Sequence, residues 1–306
     1  MNHSANTRST NADIPADPAV REALAWTQGA RFLTTASLLT QLPAPDLPEI
    51  AFVGRSNAGK STAINTLAQH RRLAFASKTP GRTQHINLFE VGPADAPDAR
   101  WADLPGYGYA AVARGAKLRW QQVMADYLAH RSALAGIVMM VDSRHGLTPL
   151  DKQLLDFVSQ RVATGEVKLL VLLTKADKLN RSEANQSLAS AQKALGELAT
   201  DTADISVCLF SALSRKGLGD AALVLRTWCP KPGTVGTGIE ATAETVPEAA
   251  PQAARQAAPQ ADSQAAPEAA PAAAPTAATA LRRWTSSCST SCRSGWPPAR
   301  SSCGCC

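Results

Sequence analysis

Apolar residues in the middle of this chain fall into two patterns, short continuous runs and longer stretches with helical spacing. The runs at 136–141 and 167–173 are apolar throughout, which is typical of parallel strands buried on both faces. With these two runs, strands are predicted at 50–53, at 86–91, where apolar and polar residues alternate, at 100–104 and at 205–210. Helical spacing predicts helices at 19–29, 62–68, 116–131, from about 149, 181–198 and 219–228.

The alternation of strands and helices predicts the fold class. Strands that alternate with helices favour an α/β fold with a mostly parallel six-stranded sheet and helices on both faces. Ligands of such sheets bind beyond the carboxyl ends of the strands. We therefore look for chemistry directly after each predicted strand.

Composition divides the 306 residues into three regions. Residues 1–18 are polar without a period and predict a disordered N-terminus, whereas 19–230 carry the pattern of a single domain. From 231 to 306 the chain is rich in Ala and Pro, and its last 19 residues hold five cysteines in no zinc-binding pattern. Such a segment has too few large apolar residues to fold, so it predicts a disordered tail. It is either a lineage-specific extension or an out-of-frame reading of the gene.

Charge and hydropathy restrict the partners and the compartment. The net charge of +6 is compatible with a nucleic-acid partner without requiring one. Basic residues cluster at Arg71, Arg72, Lys78 and Arg82 and again at Arg114, Lys117 and Arg119, either as phosphate contacts or as a solvated face. No run reaches the roughly 18 apolar residues of a membrane span. We expect a cytoplasmic protein, a monomer without a membrane partner, in which Cys208 and Cys229 are buried, reduced thiols.

One segment matches the phosphate-binding loop pattern G-x-x-x-x-G-K-[ST]. An apolar run precedes it and helical spacing follows it, which is the context that the motif requires. Backbone N–H groups at a helix N-terminus would hold phosphates, with Lys60 at the β- and γ-phosphates and Ser61 on Mg²⁺. The candidate residues are Gly54, Arg55, Ser56, Asn57, Ala58, Gly59, Lys60 and Ser61.

Three further motifs follow predicted strands. In Asp103-Leu104-Pro105-Gly106, the Asp would hold Mg²⁺ through water and the Gly106 N–H would contact the γ-phosphate. In Thr174-Lys175-Ala176-Asp177, the Asp would accept hydrogen bonds from the guanine N1–H and 2-amino group, donors that adenine lacks there. Lys175 would pack its stem along the nucleotide. After the last strand come Phe210, Ser211 and Ala212, where the Ala212 N–H would reach the guanine O6.

A loop with two threonines lies between the first phosphate-loop helix and the following strand. Thr83 is the candidate Mg²⁺ ligand, with Thr79 as the alternative. Thr83 also stands with Lys60 and Gly106 among the candidate catalytic residues. The loop adds five nucleotide-binding candidates, Gly81, Arg82, Thr83, Gln84 and His85.

With these motifs in place, the body of the chain from about 32 to 228 resembles the EngB family, within the translation-factor-related GTPases. The most specific stretches are 49–61, 78–84, 103–110 and 173–178, above all Asp103-Leu-Pro-Gly-Tyr-Gly-Tyr-Ala110. The resemblance implies a P-loop GTPase fold, GTP binding and hydrolysis with Mg²⁺, and a role in assembly of the large ribosomal subunit and in normal division septum formation. The tail has no counterpart in the family pattern.

Two positions depart from the common small-GTPase scheme. Tyr107 stands where many GTPases have a Gln that orients the attacking water, so we expect slow intrinsic hydrolysis that a partner accelerates. Asn57 matches the Asn that coordinates K⁺ in related cation-activated GTPases; the alternative is that it bonds the switch loop.

Two other functions compete with this interpretation. Cys303-Gly-Cys-Cys306 is compatible with a prenylated trafficking GTPase, although its middle residues are not aliphatic and the Asp103 motif lacks that class's pattern. An ATPase is opposed by Asp177.

Overall fold

The computed structural model describes residues 17–74, 85–108 and 114–230, with backbone alone for 114–121. Within these ranges the strands are β1 (Arg31–Ala36), β2 (Glu49–Gly54), β3 (Ile86–Val91), β4 (Ala99–Asp103), β5 (Leu134–Asp142), β6 (Lys168–Thr174) and β7 (Ile205–Leu209). The α-helices are α1 (Pro18–Gln28), α2 (Lys60–Leu67), α3 (Arg114–His130), α4 (Pro149–Ala163), α5 (Arg181–Gly196) and α6 (Leu218–Trp228). Short 3₁₀ turns occur at Leu39–Gln41 and Ala176–Lys178.

The strands form one sheet in the order β1-β3-β4-β2-β5-β6-β7. The pairs from β4 through β2, β5 and β6 to β7 are parallel, and β1 and β3 are joined antiparallel at the other edge. The prediction of a mostly parallel sheet with helices on both faces is confirmed. The described part of the sheet has seven strands where six were predicted.

The strand that the sequence pattern missed is β1. It lies at an edge and has one fully buried residue, Ala36, while Phe32 is 56% exposed. A register irregularity between Phe32 and Thr34 further breaks the alternation. A half-exposed antiparallel edge strand produces no continuous apolar run, so the pattern that identified the buried strands could not identify this one.

The alternating sides of β2 bury residues in two separate cores. Ala51 and Val53 join the core that is formed with α3, α4 and α5. Ile50 and Phe52 face the core that contains Trp101, from β4, and residues of α1, α2 and α6. All six residues of β2 are buried, which fixes the phosphate loop that follows to the centre of the sheet.

Asp98 joins three parts of the fold. Its carboxylate accepts hydrogen bonds from Trp26 Nε1 in α1 at 2.6 Å and from Arg226 Nη1 in α6 at 3.0 Å. The Arg226 guanidinium also lies 5.2 Å from the centre of the Trp26 ring. The Arg226 and Asp98 side chains are only 11% and 9% exposed, so the two terminal helices are held to the β3–β4 hairpin by a shielded ion pair.

The two cysteines of the described region are free thiols. Cys229 is buried and Cys208 is partly buried, and burial raises the pKa of each thiol to about 12. Both are therefore protonated and unreactive at neutral pH.

Replacing Asp98 with Ala should lower the free energy of unfolding by about 3 kcal/mol, because the Arg226 charge and the Trp26 N–H lose their buried acceptor. Urea unfolding followed by tryptophan fluorescence measures this. Asp95→Ala, at an exposed position of the same hairpin, is the matched control. Equal stability of the two variants would contradict the anchoring role.

Candidate nucleotide-binding site

The phosphate loop leaves β2 and enters α2 through two residues in the left-handed region. Asn57 has φ +68° and Gly59, the N-cap of α2, has φ +93°. At Gly54 a Cβ would lie 2.9 Å from the Met140 carbonyl oxygen, so only glycine fits there. Because no side chain caps α2, its first N–H groups are available to a ligand at the positive end of the helix.

The Lys60 ammonium is ion-paired with the Asp103 carboxylate, and both side chains are buried. They meet because β2 and β4 are parallel neighbours, with Phe52 opposite Asp103 at the carboxyl end. The pair compensates two charges that burial alone would make costly. It also holds the Lys60 ammonium at the carboxyl end of β4, next to the phosphate loop.

An Mg²⁺ ion fits the oxygen donors on this side of the loop. The Asp103 carboxylate and the hydroxyl of Ser61, in the first turn of α2, supply the hard oxygens that Mg²⁺ prefers. The described residues contain no group of three or more His, Cys, Asp or Glu side chains that could hold a metal. One or two protein oxygens together with nucleotide phosphates is the usual arrangement for this ion.

Tyr107 is bound to the phosphate loop by its backbone and to α4 by its side chain. Its N–H donates to Gly54 O at 3.3 Å, and its carbonyl accepts from Ser56 N at 3.0 Å. Its buried hydroxyl donates to Asp151 Oδ1 at 2.7 Å. Asp151 Oδ2 in turn accepts from the N–H and hydroxyl of Thr148, which caps α4. The residue after Gly106 thus directs its polar atom away from the phosphate loop, into the protein.

Lys175 connects the phosphate loop to the end of β5. It has φ +59°, and its ammonium donates to Asn57 O at 2.7 Å and to Asp142 Oδ2 at 2.8 Å. Thr174, one residue earlier, donates its hydroxyl to Ala58 O at 2.6 Å. Thr174 and Lys175 thereby hold the back of the phosphate loop against β6.

Asp177 faces the segment that follows β7. Its Oδ1 accepts a hydrogen bond from Ser211 Oγ at 2.7 Å, and Lys178 Nζ lies 3.4 Å from its Oδ2. The Ser211 bond, assisted by Lys178, lowers the pKa of Asp177, so it is a carboxylate at neutral pH. Ala176 N donates to Phe210 O at 3.1 Å, which joins the two predicted base-binding segments directly.

Asp142 is a polar residue of this edge that the sequence analysis did not select. Burial alone would raise its pKa, but hydrogen bonds from Arg144 and Lys175 outweigh burial and hold the pKa well below its usual range. It ends β5 opposite Thr174, so the rule that placed chemistry after strands would have found it. Its isolated position in the sequence gave no motif to draw attention to it.

The residues predicted to bind nucleotide or Mg²⁺ at 79–85 are described only in part. Thr79, Gly81, Arg82, Thr83 and Gln84 lie outside the described residues, and so do the basic residues Lys78 and the side chains of 114–121. His85 is described, exposed at the start of β3, with its Nδ1 2.9 Å from Ser37 Oγ. The structure therefore brings together the phosphate loop, Asp103 and the Thr174 and Ser211 segments.

Comparison with known proteins identifies the family. A family profile described as "50S ribosome-binding GTPase" matches residues 49–175. A "Probable GTP-binding protein EngB" from Albidiferax ferrireducens is 58% identical over 206 residues, which are 67% of this chain and 96% of that protein. The chain belongs to the EngB family of GTP-binding proteins. A relative of the same name from Acidovorax ebreus is 54% identical over 218 residues, 71% of this chain and 96% of the relative.

Membership of the EngB family establishes the activity as well as the fold. The chain is a GTPase, which binds GTP and GDP and hydrolyses GTP. The crystal structure of Era in complex with MgGDPNP and a fragment of 16S ribosomal RNA is 20% identical, with a TM-score of 0.50 over 62% of this chain and 59% of that one. That similarity supports the P-loop GTPase fold alone. Within the residues described here, no helix has the length and apolar character to cross a membrane.

Replacing Tyr107 with Phe should destabilise the protein by about 1–3 kcal/mol, because Asp151 then loses a buried hydrogen-bond donor. In the Asp151→Leu background the same change should cost far less. Denaturant unfolding of the four proteins of this double-mutant cycle gives the coupling energy. Additive effects would mean that the Tyr107–Asp151 bond contributes nothing.

Proposed function

We propose that this GTPase is a switch in assembly of the large ribosomal subunit and that normal division septum formation depends on it. The observation that carries the proposal is the convergence of the phosphate loop, Asp103 and the Asp177–Ser211 pair at one edge of the sheet. The matching profile's description as a 50S ribosome-binding GTPase supports the ribosomal partner. The switch would act in the cytoplasm as a monomer, through the GTPase domain at 19–230.

The phosphates would bind in the loop from Gly54 to Ser61. Backbone N–H groups at the start of α2 would hold the β-phosphate, and Lys60 would move from Asp103 toward the β- and γ-phosphates. Ser61, Thr83 and, through water, Asp103 would hold Mg²⁺, which neutralises charge on the phosphates when bound. Gly106 would donate its N–H to the γ-phosphate and so report whether GTP or GDP is present.

The guanine base would bind between the Thr174–Asp177 and Phe210–Ala212 segments. The ionised Asp177 would accept from the N1–H and the 2-amino group, held in place by Ser211. The Ala212 N–H would donate to O6. A base without those donors would leave a carboxylate unpaired, which costs far more than a poor steric fit.

Hydrolysis is expected to be slow without a partner. The Tyr107 hydroxyl donates its hydrogen bond to Asp151. This bond supports the expectation that Tyr107 does not orient the attacking water. A ribosomal partner would supply the missing group. The accelerated step would then couple GTP hydrolysis to release from the subunit.

Asn57 is the candidate K⁺ ligand of this mechanism. Its left-handed backbone and exposed position at the mouth of the loop are compatible with coordination by its side-chain oxygen. A K⁺ ion there would supply positive charge next to the phosphates, as an arginine finger does in other GTPases.

Sucrose-gradient sedimentation with large ribosomal subunits tests the ribosomal role. The protein should comigrate with the large subunit when loaded with a non-hydrolysable GTP analogue, and much less with GDP. Absence from the subunit fraction in every nucleotide state would contradict the proposal. Depletion of the protein should also cause precursors of the large subunit to accumulate before septation fails.

Replacing Asp177 with Asn should weaken GTP binding by about 10- to 100-fold, because one acceptor oxygen becomes an amide donor. Xanthosine triphosphate, with a carbonyl in place of the 2-amino group, should gain affinity. Competition against a fluorescent guanine nucleotide measures both. Asp201→Asn, in an exposed loop, is the control. Unchanged selectivity in Asp177→Asn would show that another residue reads the base.

GTP hydrolysis should be faster in K⁺ than in Na⁺ at equal ionic strength, and Asn57→Ala should remove the difference. Phosphate release under single-turnover conditions measures the rate. Equal rates in the two salts would exclude Asn57 as a K⁺ ligand and leave it as a partner of the switch loop.

A further inference from the structure

A cavity of about 520 Å³ borders the phosphate loop beside the nucleotide site. Its walls are loop residues 55–58, the end of β5 with the loop after it, and the first turn of α4. Lys60, Ser61, Asp103 and Asp177 are not among its lining residues. The cavity shares residues 55–58 with the loop that would hold GTP but contains none of these four residues, so it adjoins the GTP site.

Arg55 brings an uncompensated positive charge to this cavity. Its Nε is buried and has no hydrogen-bond partner, and no ion pair involves its guanidinium within the described ranges. Two carboxylates line the same cavity, but both are occupied. Asp142 accepts from Arg144 and Lys175, and Asp151 accepts from Tyr107 and Thr148. A buried N–H donor without an acceptor is costly. An anion in the cavity would pair with the charge of this guanidinium.

A second cavity of about 610 Å³ continues from the first along the loop between β5 and α4. Both cavities are lined by Arg144, His145 and Gly146. The second adds the exposed Lys152 and the buried Ser143 hydroxyl, which has no partner among the described residues. Its acidic residue, Glu183, accepts the Asn180 N–H in the cap of α5. The basic side chains Arg55, His145 and Lys152 thus line the two adjoining cavities.

We propose that Arg55, His145 and Lys152 form a lateral phosphate site that binds the phosphodiester backbone of RNA. This inference rests on the proposed ribosomal function and names the contact that the subunit makes. Two adjoining cavities, with basic side chains from the phosphate loop, the loop after β5 and the first turn of α4, suit a linear polyanion with repeating phosphates. A guanidinium also matches the geometry of a phosphate through paired N–H donors. An acidic protein segment is the competing partner that the experiment must exclude.

The lateral phosphate site is connected to the nucleotide site through short contacts. Arg55 belongs to the phosphate loop and its backbone pairs with Tyr107. Arg144 shares the Asp142 carboxylate with Lys175, whose ammonium holds the Asn57 carbonyl. An RNA phosphate at Arg55 would therefore bias the same loop that holds the nucleotide, and GTP would bias RNA binding to the same extent in return.

The test measures affinity of the full chain, loaded with a GTP analogue, for intact large subunits and for deproteinised large-subunit RNA. Lys152→Gln should make the fall of log affinity with log salt shallower by about 0.7–0.9, which corresponds to the loss of one phosphate contact. Arg55→Gln should weaken both complexes at least tenfold at fixed salt. Lys193→Gln, an exposed α5 cation that lines neither cavity, should bind like the wild type. Nucleotide affinity is measured for each variant, so that a defect in GTP loading is recognised.

The other possible results separate the lateral phosphate site from the ribosomal function. If the wild type binds subunits and both Lys152→Gln and Arg55→Gln bind them as tightly as the wild type, the proposed lateral phosphate site is wrong and the ribosomal function stands. If the wild type binds neither target, both are wrong. Losses with subunits but not with bare RNA would assign the site to an acidic protein surface. An equal loss of affinity in Lys193→Gln would show that binding depends on net charge and not on this site.

A free phosphate could satisfy the same donors, and a separate titration distinguishes it. Inorganic phosphate is added to the GDP- and Mg²⁺-loaded protein, in which the nucleotide site is filled. Weak binding, with RNA affinity reduced only by competition at millimolar phosphate, supports an RNA backbone contact. Tight phosphate binding that Arg55→Gln abolishes, without a change in RNA affinity, would assign the site to the free anion instead.

Discussion

The parallel register at the centre of the sheet is the constraint on which the site depends. Phe52 lies opposite Asp103, Asp142 opposite Thr174, and Leu173 opposite Leu209. Because these strands run in the same direction and end level, the polar residues that follow them meet at one edge. Residues more than 100 positions apart in the chain, such as Asn57 and Lys175, thereby come within hydrogen-bond distance.

Most charges at that edge are already paired, and the pairing explains how the site can be both rigid and ready to bind. Asp103 with Lys60, Asp142 with Lys175, and Asp177 with Ser211 each place an ionised group before a ligand arrives. Lys60 can exchange its carboxylate for a phosphate without leaving a bare buried charge, provided that a cation takes its place at Asp103. Among the described residues of this edge, Arg55 differs, since its Nε is buried without an acceptor.

The sequence predicted the buried strands and the motifs that follow them, because a parallel strand buried on both faces has a continuous apolar run. It missed β1, whose edge position and exposed Phe32 leave no such run. It also could not predict which carboxylate each polar residue would contact. The bond from Tyr107 to Asp151 joins positions 44 residues apart and depends on how α4 packs on the sheet. Local propensity determines where a helix begins, whereas its distance from another segment depends on the core between them.

The most direct test of the account is equilibrium binding of GTP, GDP and ATP to the purified full chain with Mg²⁺. GTP and GDP should compete for one site, and ATP should bind at least 100-fold more weakly, because adenine offers Asp177 no donor at the N1 and C2 positions. ATP binding within about threefold of GTP would contradict the account, since the carboxylate at the end of β6 would then not be reading the base.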